Sequence, residues 1–382
     1  MTSLGSAADG AGLVVQFGTG VFLRGFIDSF VQRSRDAGLW SGAVLGVKLT
    51  PGGGADFALA QRAAYSLRVQ GMEKGVRVED EGEIDVVSRW INPHTDEGFD
   101  ALLHSAKAPR VDLIVSNSTE AGIVYAHTEQ PTAACPATYP AKLTAWLAAR
   151  HVALAAAEPA AADQTLTVLP LELIEDAGPR LREIVLRHAE DWALGAGFAE
   201  WLARSVVFRS ALVDRIVTKP AAQDDPLLVI AEPYHLLVVE AEGKAKAEGE
   251  GEAKGEAVGG GGAAKKQRTE ETSAEAGSGG GALERRLRLR EAGVNVIYTP
   301  ELPRWRTRKV RVLNGAHHSI VFLGLRLGLG NVRSCVQHPA LRPFLDGVLT
   351  REVLPALEGE PDELRACVGG RLECETASGD VD

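Results

Sequence analysis

Short runs of apolar and β-branched residues alternate with helix-patterned segments through the first half of the chain. The runs are GLVVQF, AVLGVKL, VDLIVSN and LTVLPLEL. Apolar residues recur three or four positions apart, the spacing of one helix face, over residues 21–36, 96–107, 138–157 and 178–191. Strands that alternate with helices predict a mostly parallel, doubly wound sheet, so the expected fold class is α/β.

The pattern changes in the second half. Two further strand-like runs, LLVIAEPYHLLVVE and VNVIYTP, flank residues 241–282, which are almost wholly Ala, Gly, Glu and Lys. Such a segment buries too little apolar surface to offset the entropy of ordering it, so we predict a disordered surface insertion. From about residue 303 the apolar positions recur at helical spacing. We therefore expect one domain over residues 13–302 and a helical domain over 303–382.

Composition narrows the class of protein. The chain has 382 residues and a net charge of −10, which argues against a nucleic-acid partner despite the basic run RWRTRKVRV. The four cysteines are irregularly spaced and no metal-ligand pattern is present, so no metal is expected. No apolar run approaches the roughly 18 residues of a membrane span, and the N-terminus lacks signal-peptide features. We expect a cytoplasmic protein with no membrane partner.

The first predicted strand runs into a glycine-containing loop, QFGTGVFLRGF. Gly18 and Gly20 have the GxG spacing of a dinucleotide loop, in which glycines permit a tight turn and a close approach of the backbone to a pyrophosphate. Leu23 stands where the third fingerprint glycine is expected, so an unrelated strand-to-helix turn is the other interpretation. The second strand ends in Lys48 without an acidic residue for a ribose, which leaves NAD and NADP both open.

Near the start of the helical region, Lys309, Asn314 and His317 are five and three residues apart. At about 100° per residue, an α-helix places all three within an arc of about 140°, and His318 points almost to the opposite side. Lysine acts as a general acid or base when its pKa is lowered, and neighbouring arginines have that effect. From spacing alone, a snorkelling lysine, a helix-start asparagine and a partly buried histidine explain the same residues.

The run RKVRVLNGAHHSIV resembles the pattern Lys, four residues, Asn, two residues, His of the polyol-specific long-chain dehydrogenases, the mannitol dehydrogenase family. Other segments resemble that family in the same order along the chain. They are the nucleotide loop through Gly18, Gly20, Phe22 and Arg24, the segment SNSTEAGIVY through Thr119 and Glu120, and ALVDRIVT through Asp214 and Arg215. Within the family, the segments LELIEDAG and EPYHL resemble the tagaturonate reductases, also called altronate oxidoreductases.

The resemblance implies a Rossmann-like NAD-binding domain followed by a helical substrate domain, with NADP not excluded as cofactor. It implies metal-independent reduction of a keto sugar acid, with Lys309 delivering the proton and Asn314, His317 and Asp214 completing the site. Arg306, Arg308 and Arg215 are the expected partners of the substrate carboxylate, because guanidinium groups bind carboxylates in two-point geometry.

The resemblance extends over about residues 13 to 358, and residues 359–382 do not resemble the family's further helices. We therefore expect a shortened helical domain, and a monomer or weak oligomer. The alternatives are an inactive nucleotide-binding protein of this family and a dehydrogenase of mannitol or fructuronate type.

Overall fold

The computed structural model describes residues 11–51, 62–73, 76–127, 129–130, 134–156, 165–219, 221, 225–241 and 280–357. The strands are β1 (Gly12–Phe17), β2 (Gly42–Val47), β3 (Tyr65–Glu73), β4 (Val76–Ile84), β5 (Val87–Ile91), β6 (Val111–Ser116), β7 (Leu166–Pro170), β8 (Val206–Phe208), β9 (Ala211–Asp214), β10 (Val217–Thr218), β11 (Val229–Ala231), β12 (Leu236–Glu240) and β13 (Val296–Thr299).

The α-helices are α1 (Val21–Gly25), α2 (Ile27–Asp36), α3 (Asp96–Ser105), α4 (Tyr139–Ala155), α5 (Ala177–Asp191), α6 (Ala196–Ser205), α7 (Gly281–Leu287), α8 (Leu302–Arg308), α9 (Gly315–Arg326), α10 (Val332–Gln337) and α11 (Leu341–Gly347). Two π-helical turns, Lys309–Asn314 and Val348–Val353, continue α8 and α11.

A six-stranded sheet forms the centre of the first domain. Its order is β5-β2-β1-β6-β7-β8, and every neighbouring pair is parallel. Chain order reverses between β1 and β6, so the loops after these two strands splay apart and leave a crevice at their carboxyl ends. The predicted Rossmann-like fold class is confirmed.

Apolar side chains cover both faces of this sheet, as its near-continuous apolar strands require. Val14 of β1 packs with α2 on one face, whereas Val15 and Phe17 pack with α4 and α5 on the other. Trp146 of α4 is fully buried on the second face, and its Nε1 donates to Ser105 Oγ of α3 at 2.9 Å.

Two smaller sheets complete the first domain. β3 and β4 form an antiparallel hairpin from Tyr65 opposite Ile84 to Glu73 opposite Val76, and β11 and β10 extend it. β12 pairs with β13 and β9. Of the segment predicted as an insertion, residues 242–279 lie outside the described residues. Its predicted end at residue 282 is wrong, because Ala282 is buried within α7.

The second domain is helical from α8 onward. Its core is a separate apolar cluster formed by α9, α10, α11 and the two π-helical turns, with Val312, Ile320, Val336 and Leu345 almost fully buried. The helical periodicity found in the sequence from about residue 303 is confirmed by helices that begin at Leu302.

Truncation of Trp146 tests the packing of the first domain. We expect Trp146→Ala to lower the free energy of unfolding by about 3–5 kcal/mol, because it leaves a cavity and removes a buried hydrogen bond. Val152→Ala on the same helix is the control, since Val152 is 68% exposed and surface changes stay within about 0.5 kcal/mol. Urea denaturation of both variants measures the difference, and equal losses would contradict the packing described.

Candidate active site

The loop between β1 and α1 has a backbone that depends on glycine. Gly18 has φ +132°, and a Cβ added to it would lie 2.7 Å from Leu23 Cδ1 and 3.2 Å from the carbonyl oxygen of Asn117. Gly20 is the N-cap of α1 with φ −66°, and a Cβ added there would meet no protein atom within 4 Å. The space beside Gly20 is therefore not filled by protein atoms.

Gly25 was not singled out from the sequence. A Cβ on it would lie 2.6 Å from Val217 Cγ1 and 2.8 Å from Val229 Cγ1. Gly25 therefore allows α1 to pack closely on β10 and β11 of the four-stranded sheet. The signal in the sequence is the second glycine of the run GVFLRG.

The crevice at the carboxyl ends of β1 and β6 is an open cleft of about 590 Å³. Gly18 and Gly20 line one side, and Asn117, Ser118 and Thr119 line the other. Thr119 precedes a short 3₁₀ turn that begins at Glu120. The structure thus brings the two predicted nucleotide-binding segments together around one cleft.

Glu172, just after β7, fixes one wall of this cleft. Its buried carboxylate accepts hydrogen bonds from Ser116 Oγ at 3.0 Å, from the Ser118 N–H at 2.8 Å and from Ser118 Oγ at 2.9 Å. Asn117 Nδ2 also donates to the carbonyl of Leu171 at 3.0 Å. The role of Glu172 was not predicted, because its partners belong to a different strand.

The last two residues predicted for the nucleotide loop face the protein interior. Phe22 stacks on Phe26 with ring centroids 4.9 Å apart. The guanidinium of Arg24 is buried, donates to the carbonyl of Leu227 at 2.8 Å and lies over the Tyr65 ring. Both side chains contact protein groups in the structure, and a role of either one in binding a cofactor stays a prediction.

A buried polar group lies beneath the loop. Gln16 Nε2 donates to the Gly18 carbonyl at 3.3 Å and lies 3.4 Å from Asp28 Oδ2, which also accepts from the Tyr65 hydroxyl at 2.9 Å. Burial raises the pKa of Asp28 to about 7, against the opposing effect of these hydrogen bonds. Asp28 therefore changes charge near neutral pH, next to the residue that holds the loop.

Lys48 lies at the end of β2. Its side chain is buried rather than solvated, and its Nζ donates to the carbonyl of Pro51 at 3.1 Å. This contact gives no support to a 2′-phosphate partner over a ribose hydroxyl.

Lys309 lies where the helical domain meets the first domain. Its Nζ donates to the carbonyl of Val213 in β9 at 2.5 Å and lies 3.7 Å from Asp214 Oδ1. The side chains of Lys309 and Asp214 are 17% and 12% exposed. Two of the predicted catalytic residues are thus close together, in a position that is only partly exposed to solvent.

The turn that carries Lys309 and Asn314 is a π-helix, and not the α-helix assumed from the sequence. The Gly315 N–H donates to the carbonyl of Val310, five residues back. The predicted arc of 140° is wrong for this reason, because a wider turn brings residues five apart closer to one another on the helix face. Asn314 is exposed, and His317 is partly buried at the start of α9.

The three arginines expected to bind a substrate carboxylate contact protein groups. Arg306 lies 3.3 Å from Glu175 and donates to the carbonyl of Ile174 at 3.2 Å. Buried Arg308 has its guanidinium carbon 5.4 Å from the Trp305 ring centroid.

Arg215 lies inside the first domain. It is buried and donates to the carbonyls of Gly25 at 2.6 Å and Glu232 at 2.9 Å. Burial lowers the pKa of Arg215 to about 10. Its substrate-binding role stays a prediction. In the structure, Arg215 links Gly25 of α1 to Glu232, which follows β11.

Candidate metal-binding clusters and candidate membrane-spanning helices are both absent from the part of the chain described. Its His, Cys, Asp and Glu side chains form no group of three or more that could hold a metal ion. No helix between residues 11 and 357, outside the gaps given above, is long and apolar enough to cross a bilayer.

Both domains match models of known protein families. Residues 13–250 match the mannitol dehydrogenase Rossmann domain, and residues 301–367 match the mannitol dehydrogenase C-terminal domain. The chain belongs to the mannitol dehydrogenase family.

Altronate oxidoreductases of two bacteria are among the proteins similar to this chain. The altronate oxidoreductase of Bacillus subtilis (strain 168) is 31% identical over 360 residues, 91% of this chain and 65% of the relative. That of Halalkalibacterium halodurans is 29% identical over 372 residues, 94% of this chain and 64% of the relative. The chain thus spans just under two thirds of the length of these relatives.

Solved structures of mannitol dehydrogenase type share the fold. A D-sorbitol dehydrogenase in substrate-free form has a TM-score of 0.68 at 21% identity, covering 96% of this chain and 70% of its own. The Pseudomonas fluorescens mannitol 2-dehydrogenase, in a ternary complex with NAD and D-mannitol, has a TM-score of 0.67 at 18% identity, covering 98% and 71%.

The buried carboxyl group of Asp28 generates a prediction about stability and pH. Its folded-state pKa of about 7 lies above the unfolded value of about 3.9, so the unfolded chain releases the proton first. Stability conferred by protonated Asp28 is therefore lost as pH rises from about 4 to about 7, by about 3–4 kcal/mol.

Asp28→Asn removes this titration. As pH rises from about 5 to about 8, the variant should therefore become more stable relative to the wild type. Urea denaturation of both proteins across that range measures the difference. Parallel stability curves would contradict a raised pKa at Asp28.

Proposed function

We propose that the chain is a nicotinamide-dependent dehydrogenase that interconverts a keto sugar acid and its alcohol, tagaturonate and altronate being the first pair to test. The observation that carries the proposal is the contact of Lys309 with Val213 and Asp214. It lies in a chain that also has a glycine-bounded cleft at the sheet's topological switch point. The names of the relatives support the substrate class.

The cleft fits a dinucleotide. The open space beside Gly20 and the first N–H groups of α1 suit a pyrophosphate, because unpaired N–H groups and the helix dipole favour negative charge. Asn117, Ser118 and Thr119 face the same cleft from β6. A bound nicotinamide would supply or accept the hydride.

Lys309 is the proposed proton donor to the ketone oxygen, and the proton acceptor in the reverse direction. Its Nζ donates to the Val213 carbonyl at 2.5 Å, and an ammonium carries three N–H groups in all. Asp214 Oδ1 lies 3.7 Å from the Nζ and helps to hold the ammonium in place. Asn314 and His317 are the proposed donors that orient that oxygen, since an amide or an imidazole N–H stabilises a developing alkoxide.

Substrate reduction by the wild-type protein is the direct test. We expect oxidation of NADH with tagaturonate, and slower oxidation with fructuronate, fructose and fructose 6-phosphate. Absence of turnover with every keto compound and with both NADH and NADPH would contradict the proposal.

A second candidate is a nucleotide-binding protein without turnover. It is favoured by one observation, since Arg306, Arg308 and Arg215 all contact protein groups. It predicts saturable NADH binding with no oxidation by any keto sugar acid, so the same panel and a binding titration separate the two candidates.

Gly20→Ala distinguishes a dinucleotide loop from an ordinary strand-to-helix turn. The protein tolerates the added methyl group, because nothing lies within 4 Å of it and φ is −66°. A bound pyrophosphate would not, so we expect an unchanged melting temperature and NADH affinity lowered about ten- to hundredfold. Gly82→Ala is the control, since a Cβ there also meets nothing within 4 Å. Equal NADH affinity in both variants would favour the ordinary turn.

Lys309→Met tests the proton donor. We expect kcat to fall roughly 10²–10⁴-fold, the usual contribution of a positioned acid or base, with little change in the Kd for NADH. Lys219→Met is the control, because Lys219 is an exposed lysine of the same domain as Asp214. Steady-state kinetics and fluorescence titration measure the two effects. A kcat within about threefold of wild type would remove Lys309 from this role.

A further inference from the structure

The Glu172 carboxylate accepts three hydrogen bonds from the segment that forms one wall of the cleft. Both of its carboxylate oxygens are used, one by Ser116 Oγ and the other by the backbone and side chain of Ser118. The side chain is only 2% exposed. A buried carboxylate is costly unless hydrogen bonds offset its desolvation, so this one is held in a single geometry by its three donors.

These hydrogen bonds act on the segment from Ser116 to Thr119, which leaves β6 and enters the cleft. The Ser118 N–H donates to Glu172, and the Ser118 hydroxyl lies within hydrogen-bond distance of both Glu172, at 2.9 Å, and the Thr119 carbonyl, at 3.1 Å. Its neighbours Asn117 and Thr119 line the cleft with it. The carboxylate therefore fixes how this turn presents its groups to the cleft, although Glu172 does not line the cleft.

The glycine loop, which forms the opposite wall of the cleft, lies close to the same turn. The carbonyl of Asn117 lies 3.2 Å from where a Cβ of Gly18 would be. Gly122 leaves room for Ser118, because a Cβ on Gly122 would lie 2.2 Å from Ser118 Oγ. A shift of the Ser116–Thr119 turn would therefore change the width of the cleft between it and the glycine loop.

We propose that Glu172 is a positioning residue for the cofactor, which sets cofactor affinity by fixing the Ser116–Thr119 turn without contacting the cofactor itself. This inference rests on the proposed function, because it requires that the cleft binds NADH. It also connects the two halves of the site. Two and three residues beyond Glu172, Ile174 and Glu175 contact Arg306, one turn before Lys309 in the chain.

Asp112 offers a matched control on β6, the strand that leads into the Ser116–Thr119 turn. It is a fully buried carboxylate at the amino end of β6, and it accepts from Trp40 Nε1 at 2.8 Å and from Arg110 Nε at 2.8 Å. Its loss should destabilise the first domain as the loss of Glu172 does, but at the edge of the sheet opposite to the cleft.

The experiment measures the Kd for NADH by fluorescence titration, together with the melting temperature without cofactor, for Glu172→Ala, Glu172→Gln, Ser118→Ala and Asp112→Ala. We expect Glu172→Ala to weaken NADH binding at least about tenfold. Glu172→Gln should restore part of the affinity, because an amide oxygen can still accept from Ser118. Ser118→Ala should weaken binding less than Glu172→Ala, and Asp112→Ala should leave the Kd within about twofold of wild type.

Wild-type affinity for NADH in both Glu172→Gln and Ser118→Ala would overturn the inference, and these milder variants decide the question if Glu172→Ala does not fold. Equal loss of affinity in Asp112→Ala and Glu172→Ala would also overturn it, because the effect would then be general destabilisation. Failure of the wild-type protein to bind NADH is a distinct result, which contradicts the proposed function and is seen before any variant is compared.

Discussion

The structure depends on how the Lys309 side chain is held at the junction of the two domains. Its ammonium donates to the Val213 carbonyl and lies 3.7 Å from Asp214 Oδ1, so a residue of the helical domain is fixed by the last two residues of β9. Beside it, Leu302 packs with Leu212, Leu236 and Val238 of the three-stranded sheet. An apolar contact and a charged one therefore act on the same junction, and the charged one places a proton-carrying group there.

The cleft and the lysine are connected by a short path of contacts. Glu172 fixes the turn after β6, the following residues Ile174 and Glu175 contact Arg306, and Arg306 precedes Lys309 by one turn of α8. In a doubly wound sheet, the carboxyl ends of the strands are where ligands bind. The topology and the side-chain contacts thus agree on one region of the molecule, in keeping with membership of the mannitol dehydrogenase family.

Much of the fold could be predicted from the sequence, because β1, β2, β6 and β7 are buried on both faces and appear as continuous apolar runs. The β3–β4 hairpin was missed, since β4 reads VRVEDEGEI and is exposed along most of its length. The π-helical turn was missed because periodicity was counted on an α-helix, and no local pattern reports an added residue in a turn.

The residues of the candidate site were predicted less completely than the strands of the sheet. Lys309, Asn314 and His317 stood out through family resemblance, whereas spacing alone left a structural explanation open. The burial of Arg24 and Arg215 depends on carbonyls of Leu227 and Glu232, which are brought close only by the folded chain. Glu172 was missed for the same reason, because its partners on β6 lie far from it in sequence.

The proposed function requires one cofactor to extend from the glycine-bounded cleft to the Lys309 junction. A crystal structure of the wild-type chain with NAD tests it most directly. We predict the pyrophosphate beside Gly20, the Ser116–Thr119 turn against the cofactor, and the nicotinamide ring within reach of a substrate carbon whose oxygen accepts from Lys309 Nζ. Density for NAD that leaves this cleft empty, or that directs the nicotinamide away from Lys309, would contradict the account.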